Sequence, residues 1–157
     1  MGTTAGIRPV TRRARVRRTT DYPIQFTGWP GSGVPFQEAQ YDNGQFWDPA
    51  LPGRFTIRKA GVYSIGAAIR WAGQPTAGGA GWRGLQIVHI RGATTTVIVS
   101  QTEMGVDGGL GVEQTVATEY EAQPGDLFAI RVAQTSNGPL ALQAAMPVAF
   151  WISSLDQ

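Results

Sequence analysis

The stretch FTIRKAGVYSIGAAIRW, residues 55–71, decides the fold class. Within it Tyr63, Ile65, Ala67, Ile69 and Trp71 fall on one side of an extended chain, and Val62, Ser64, Gly66, Ala68 and Arg70 fall on the other. Side chains alternate across a strand, so this period of two marks a strand with one face turned to a core. A helix would need apolar residues three and four apart.

Working outward, the same period recurs in VEQTVATEY, residues 112–120. There Val112, Val116 and Tyr120 share a face while Glu113, Thr115, Ala117 and Glu119 point away. Further strands are expected at 22–27, 53–57, 85–91, 95–101, 127–133, 140–144 and 148–154. Between them stand WPGSG, YDNG, QPTAGGAG, EMGVDGGLG, QPGD and TSNGP, whose Gly, Pro and Asn residues supply the positive or preset φ that turns need. Glycine is frequent, at 21 of 157 residues, with ten prolines, and no helical spacing persists over ten residues. Many short strands with regular turns imply an all-β sandwich or barrel, and no internal repeat points to a propeller or solenoid. In the last strand Val148, Phe150 and Ile152 form one face, yet Ala149, Trp151 and Leu155 leave the other apolar too. A water-facing sheet should alternate with polar residues. The second face is therefore covered, either inside the molecule or by a neighbouring subunit.

Residues 55–71 also carry a resemblance. A Phe-Thr strand, then Ala-Gly-Val-Tyr, then an alternating apolar strand resembles the signature of the C1q/tumour-necrosis-factor-like (C1q/TNF-like) jelly roll. The similarity continues in order through YDNGQFWDP (41–49), IVHIRG (87–92, with Arg91 in place of Asn), QPGDLFAIRV (123–132) and VAFWISSL (148–155). The closing strand departs from the family's Phe-x-Gly-x-Leu, having no Gly. The resemblance implies a two-sheet antiparallel jelly-roll sandwich over residues 21–157 that assembles as a compact homotrimer. Tyr63, Phe128, Phe150, Trp151 and Leu155 are the expected core or trimer-interface residues. With neither a signal peptide nor Gly-X-Y repeats, the chain looks more like the C1q-like domains of bacteriophage virions. Those serve as head decoration (cement) proteins, head fibres and tail-fibre tips.

The residues give little support to catalysis or to a cofactor. There is no Cys and a single histidine, His89, which removes thiolate chemistry, His- or Cys-rich metal sites and the usual Ser-His nucleophile. His89 alternates with Ile87 and Arg91 in a strand and reads as structural. Gly79-Ala-Gly81-Trp-Arg-Gly84 satisfies G-x-G-x-x-G, but a dinucleotide site needs a helix to follow, and LQIVHI is strand-like. The carboxylates Glu113, Glu119 and Glu121 read as a solvated edge, and Asp42 and Asp48 as flanking a turn. Glu103 and Asp107 sit in a Gly-rich loop that lacks the dense oxygen ligands of a calcium site. No enzyme activity, cofactor or metal is expected. Of the five tryptophans, Trp71 and Trp151 sit in strand alternation, whereas Trp29 and Trp82 lie in Gly-rich loops and are the candidates for a ligand platform.

Charge divides the chain. Residues 1–18 hold six arginines (Arg8, Arg12, Arg13, Arg15, Arg17 and Arg18) and no acid, whereas the remainder, with seven basic and eleven acidic residues, carries −4. The pI of about 9.4 thus reflects a basic segment on an acidic body. After Met1, Ile7, Val10 and Val16 are its only large apolar residues, so residues 1–20 are expected to be an extended arm, ordered by a partner. Arg13, Arg15 and Arg17 would then project to one side, with Ala14 and Val16 on the other. Lys59 is the only lysine, and guanidinium forks suit carboxylates or phosphates. Two partners compete: an acidic coat-protein surface, gripped by three arms at once, or packaged nucleic acid.

The expected role is a non-enzymatic virion protein. It would be a trimeric decoration protein bound to the major capsid protein on the capsid exterior, made in the host cytoplasm without a signal peptide and without a membrane partner. The alternatives are a receptor- or glycan-binding fibre tip using Trp29 and Trp82, and a coat protein whose arm binds genome.

Overall fold

The computed structural model describes residues 10–25, 28–73, 81–105, 109–136, 138–146 and 148–155. Eleven strands and no helix are formed among them. The strands are β1 (Arg13–Arg17), β2 (Tyr22–Ile24), β3 (Glu38–Asp42), β4 (Phe55–Thr56), β5 (Gly61–Trp71), β6 (Trp82–Arg91), β7 (Thr94–Met104), β8 (Val112–Ala122), β9 (Leu127–Gln134), β10 (Leu140–Leu142) and β11 (Ala149–Ser154). They build two antiparallel sheets. The smaller runs β4-β9-β6-β7. The larger runs β3-β1-β11-β5, with β8 pairing the whole length of β5 and β10, joined to β2, pairing the end of β5 at Trp71. Two antiparallel sheets with these long-range pairings form the expected jelly-roll sandwich.

The alternation read in residues 61–71 is the alternation observed. Tyr63, Ile65, Ala67, Ile69 and Trp71 are buried, facing Leu85 and Ile87 of β6 and Phe128, Ile130 and Val132 of β9 across the core. Aromatic rings fill the centre: Phe150 lies 4.4 Å from Phe55 and 5.9 Å from Phe36, centroid to centroid. A buried polar link joins β5 and β8 to the smaller sheet. Gln114 of β8 accepts the Trp71 indole N–H at 2.8 Å and donates to the Arg83 carbonyl at 3.2 Å. A buried amide so satisfied fixes the stacking of β5 and β8 on β6 rather than penalising it.

The boundary expected after residue 20 is corrected by β1. Residues 13–17 are not a free arm but a full strand of the larger sheet, paired with β11 from Arg13–Ser153 to Arg17–Ala149 and with β3 on its other side. The reason lies in its inward face: Ala14 and Val16 are both 0% exposed. Two small apolar groups suffice here, because the ladders on both sides satisfy the backbone and the arginines stay outside. The alternation of Arg13, Arg15 and Arg17 against Ala14 and Val16 is as expected, but the ordering partner is the chain's own sheet. β3 is a further strand that no period of two marks; its last two residues, Tyr41 and Asp42, open the YDNG stretch read as a turn. The expected strand at 53–57 shortens to β4, whereas those at 85–91 and 95–101 lengthen into a long β6–β7 hairpin around Gly92, whose φ of +58° suits the turn.

Candidate assembly face

The outward face of the larger sheet consists of small side chains around one tryptophan. Phe150 and Ile152 turn into the core, so Ala149, Trp151 and Ser153 of β11 point out, beside Ser64, Gly66 and Ala68 of β5. Register sets Ala149 against Ala68, Trp151 against Gly66 and Ser153 against Ser64. The indole lies across Gly66 so closely that a Cβ there would stand 2.2 Å from Trp151 Cζ2. Glycine is what lets the ring lie flat on the sheet.

β1 lines one side of this strip with arginines. Arg13, Arg15 and Arg17 stand opposite Ser153, Trp151 and Ala149. The Arg15 guanidinium sits 5.3 Å over the Trp151 ring, and its Nε donates to Gln40 Oε1 at 2.9 Å. Arg13 sits 5.1 Å over Tyr41, and Arg17 donates from Nε and Nη2 to Glu38 Oε2 at 3.1 and 2.9 Å. Arg15, Arg17, Arg18 and Gln40 line a concavity of about 480 Å³ with Ala144 and Ala145.

β8 lines the other side with acids. Glu113, Glu119 and Glu121 are exposed, opposite Arg70, Ser64 and Val62. Glu113 accepts from Arg70 Nη1 at 2.7 Å.

The expected site residues sort themselves on this geometry. Arg8 lies outside the described residues. Arg12 is exposed and binds through its backbone, its N–H donating to Ser154 Oγ at 3.1 Å and its carbonyl accepting from the Ser154 N–H at 2.8 Å. Arg18 turns inward, donating to the carbonyls of Thr20 and Pro35 with its guanidinium 4.6 Å over Tyr22. Desolvation lowers its pKa, opposed by Tyr22 and Asp21. Tyr63, Phe128 and Phe150 are core residues, and the Tyr63 hydroxyl donates to the Lys59 carbonyl at 2.6 Å. Trp151 and Leu155, the latter 43% exposed, remain at the surface. Trp29 and Trp82 do come together, with ring centroids 5.9 Å apart. Trp82 is the first residue of β6 rather than a loop residue, and Trp29, 37% exposed, presses on Gly84 of the same strand, where a Cβ would stand 2.5 Å from its Cη2. Glu103 stands in β7, Asp107 lies outside the described residues, and no cluster of three or more metal-ligating side chains occurs among the described ones.

Sequence reasoning missed one buried charge cluster. Asp126, 2% exposed, accepts from Arg91 Nε at 2.8 Å and Nη2 at 2.6 Å and from the Gln123 N–H at 2.9 Å, with His89 Nε2 2.9 Å from its Oδ2. The Arg91 fork, above all, holds this carboxyl well below the ordinary carboxylate range against the opposing effect of burial. His89 itself packs between Tyr120 and Phe128, at 4.7 and 5.4 Å. The signal available was the Gly-Asp of QPGD, where Gly125 at φ +92° closes the turn. The cluster ties the β8–β9 turn to the end of β6 and offers no nucleophile.

No protein-family model matches the sequence, and no curated protein matches it. Solved structures do. Murine APRIL at pH 5.0 is similar with a TM-score of 0.70 at 10% identity, over 93% of this chain and 100% of that one. The globular domain of zebrafish complement 1qA is similar with a TM-score of 0.64 at 15% identity, over 94% of this chain and 99% of that one. These likenesses show the fold: an all-β, two-sheet jelly roll of the C1q/TNF-like type.

Proposed function

We propose that the protein is a non-enzymatic structural component of a bacteriophage virion, a homotrimer that decorates the capsid exterior and reinforces the shell. The observation that carries the self-association is the outward face of the larger sheet. Trp151 lies there on a strip of Gly, Ala and Ser, a surface that a second protein covers at little conformational cost. The fold supports it as well, since this jelly-roll type supports trimeric assembly generally. The virion setting rests on the resemblance to phage C1q-like domains and on the concentration of arginine ahead of and within β1.

The fold changes which arginines suit capsid docking. Arg17 and Arg18 are engaged within the chain, and Arg13 and Arg15 lie within β1 stacked on Tyr41 and Trp151, so of the six only Arg8 and Arg12 precede the sheet in sequence. Genome binding fits less well, because Arg17 is ion-paired to Glu38 and Arg18 is turned inward, two guanidinium groups that are not free for phosphate.

Co-sedimentation with empty, expanded heads of the virus that carries the gene tests the reading. The full chain is expected to pellet with heads, and a chain lacking residues 1–9 with Arg12→Glu to remain a folded trimer in the supernatant. Binding undiminished in that variant would overturn docking through the basic segment. Retention on a glycan array lost by Trp29→Ala, without head binding, would favour the fibre-tip reading, for which the Trp29–Trp82 pair is the supporting feature.

A further inference from the structure

The sheet face that supports self-association also carries separated charges of opposite sign that its own fold cannot pair. Arg13 and Arg15 have no carboxylate partner among the described residues: Arg13 stacks on Tyr41, and Arg15 on Trp151 beside the neutral Gln40. Among the described residues neither Glu119 nor Glu121 forms an ion pair, and Glu121 interacts with Arg91 at longer range. Register places both sets on the same face, with Arg13 and Glu119 in one row. Arg13, Ser153, Ser64 and Glu119 form one row, and Arg15, Trp151, Gly66 and Ala117 the next. Three strand spacings separate the first from the last of each row, about 14 Å, beyond the reach of an ion pair. Between them lie only Ser, Gly and Ala side chains and the flat indole.

The acidic set stands on an edge. Among the described residues β8 pairs within its sheet with β5 alone, so Glu119 and Glu121 stand exposed on the outward face at the margin of the sheet. The basic set stands inside the sheet, on β1, between β3 and β11. A margin that exposes acids and a trough that presents arginines are complementary surfaces at different places on one chain.

We propose that the occupant of this trough is the β8 edge of a second copy, whose Glu119 and Glu121 pair with Arg13 and Arg15 while its rim covers Trp151. Because each copy offers one surface and receives the other, the contact is head-to-tail, the kind that closes into a ring when the rotation permits. The proposal rests on the homotrimer reading and adds its polarity and its chemistry: an electrostatic latch around an indole. Opposed charges of this kind set register and partner choice more than bulk affinity, and those at the rim of the contact weaken with salt.

Charge reversal tests it, read by sedimentation velocity across protein concentration at low and high salt, with far-UV circular dichroism as the check of folding. Wild type is expected to assemble and to loosen with salt. Glu119→Arg with Glu121→Arg, or Arg13→Glu with Arg15→Glu, is expected to weaken each contact roughly tenfold or more. The chain carrying all four changes is expected to reassemble, because every pair is restored with its sign exchanged. Should a reversal fail to fold, the neutral variants E119Q/E121Q and R13Q/R15Q are expected to lose the salt dependence. Assembly unaffected by the reversals, or a folded four-change chain that stays apart, overturns the latch and leaves the trimer standing. A wild-type chain that is monomeric throughout overturns both.

Discussion

At the scale of single residues, the clearest consequence of the structure concerns Asp126. Its carboxylate is buried, forked by Arg91, and held below the usual carboxylate pKa. A carboxyl whose pKa is lower folded than unfolded adds stability above the unfolded value, about 3.9, and that stability is lost as pH falls below it towards the folded value. Acid unfolding should therefore steepen below about pH 4. Asp126→Asn, which keeps the size but loses the charge-assisted bonds, is expected to cost about 2 kcal/mol at neutral pH and to flatten that acid slope. Urea titrations of both proteins from neutral to acid pH measure the difference, and an unchanged slope would remove Asp126 as its source. QPGD was legible in the sequence as a turn. That its aspartate gathers Arg91 and His89 was not, because all three meet only once β6 and β9 are paired.

At the scale of elements, long strands with one clean face were legible and short ones with weak faces were not. β5 and β8 announce themselves, since five apolar residues on alternate positions of β5 admit no other period. β1 hides its strand character. Its outward positions are all arginine and its inward ones only Ala14 and Val16, so composition speaks for a disordered arm while the sheet decides otherwise. Long-range pairing to β11, more than a hundred residues away in the chain, is information that no local window holds. The consequence is testable. Removing residues 1–18 strips β1 from between β3 and β11 and uncovers Phe150 and Ile152, so that chain is expected to aggregate or unfold, whereas one beginning at residue 10 should fold. In the full chain Val16→Ala should cost about 2 kcal/mol and Val16→Asp should prevent folding. Thermal melts of the four chains decide it, and an intact melt after removal of residues 1–18 would make β1 dispensable.

At the scale of the whole molecule, the basic and acidic shares of the chain turn out to meet on one surface. The sequence divides into a positive beginning and a negative remainder, which invites a tether reading. Folding places Arg13 and Arg15 a few strands from Glu119 on a single face, where the division becomes a polarity of the molecule. The two-sided apolar pattern of β11 made it legible that Trp151 stands opposite Phe150 on a face to be covered, but not whether that face lies inside the molecule or on its surface. Glu119 was readable only as a solvated edge, because its meaning depends on register. If that face is closed by other copies, folding and assembly are linked, and stability follows mass action. The melting temperature should rise with protein concentration and fall with added salt, while the intrinsic tryptophan emission shifts to longer wavelength on dilution as Trp151 is uncovered. Trp151→Ala removes the buried ring and should abolish both the concentration dependence and the spectral shift, leaving a monomer whose melting no longer depends on concentration. A wild-type melt independent of concentration over several decades would mean that the face stays open to water.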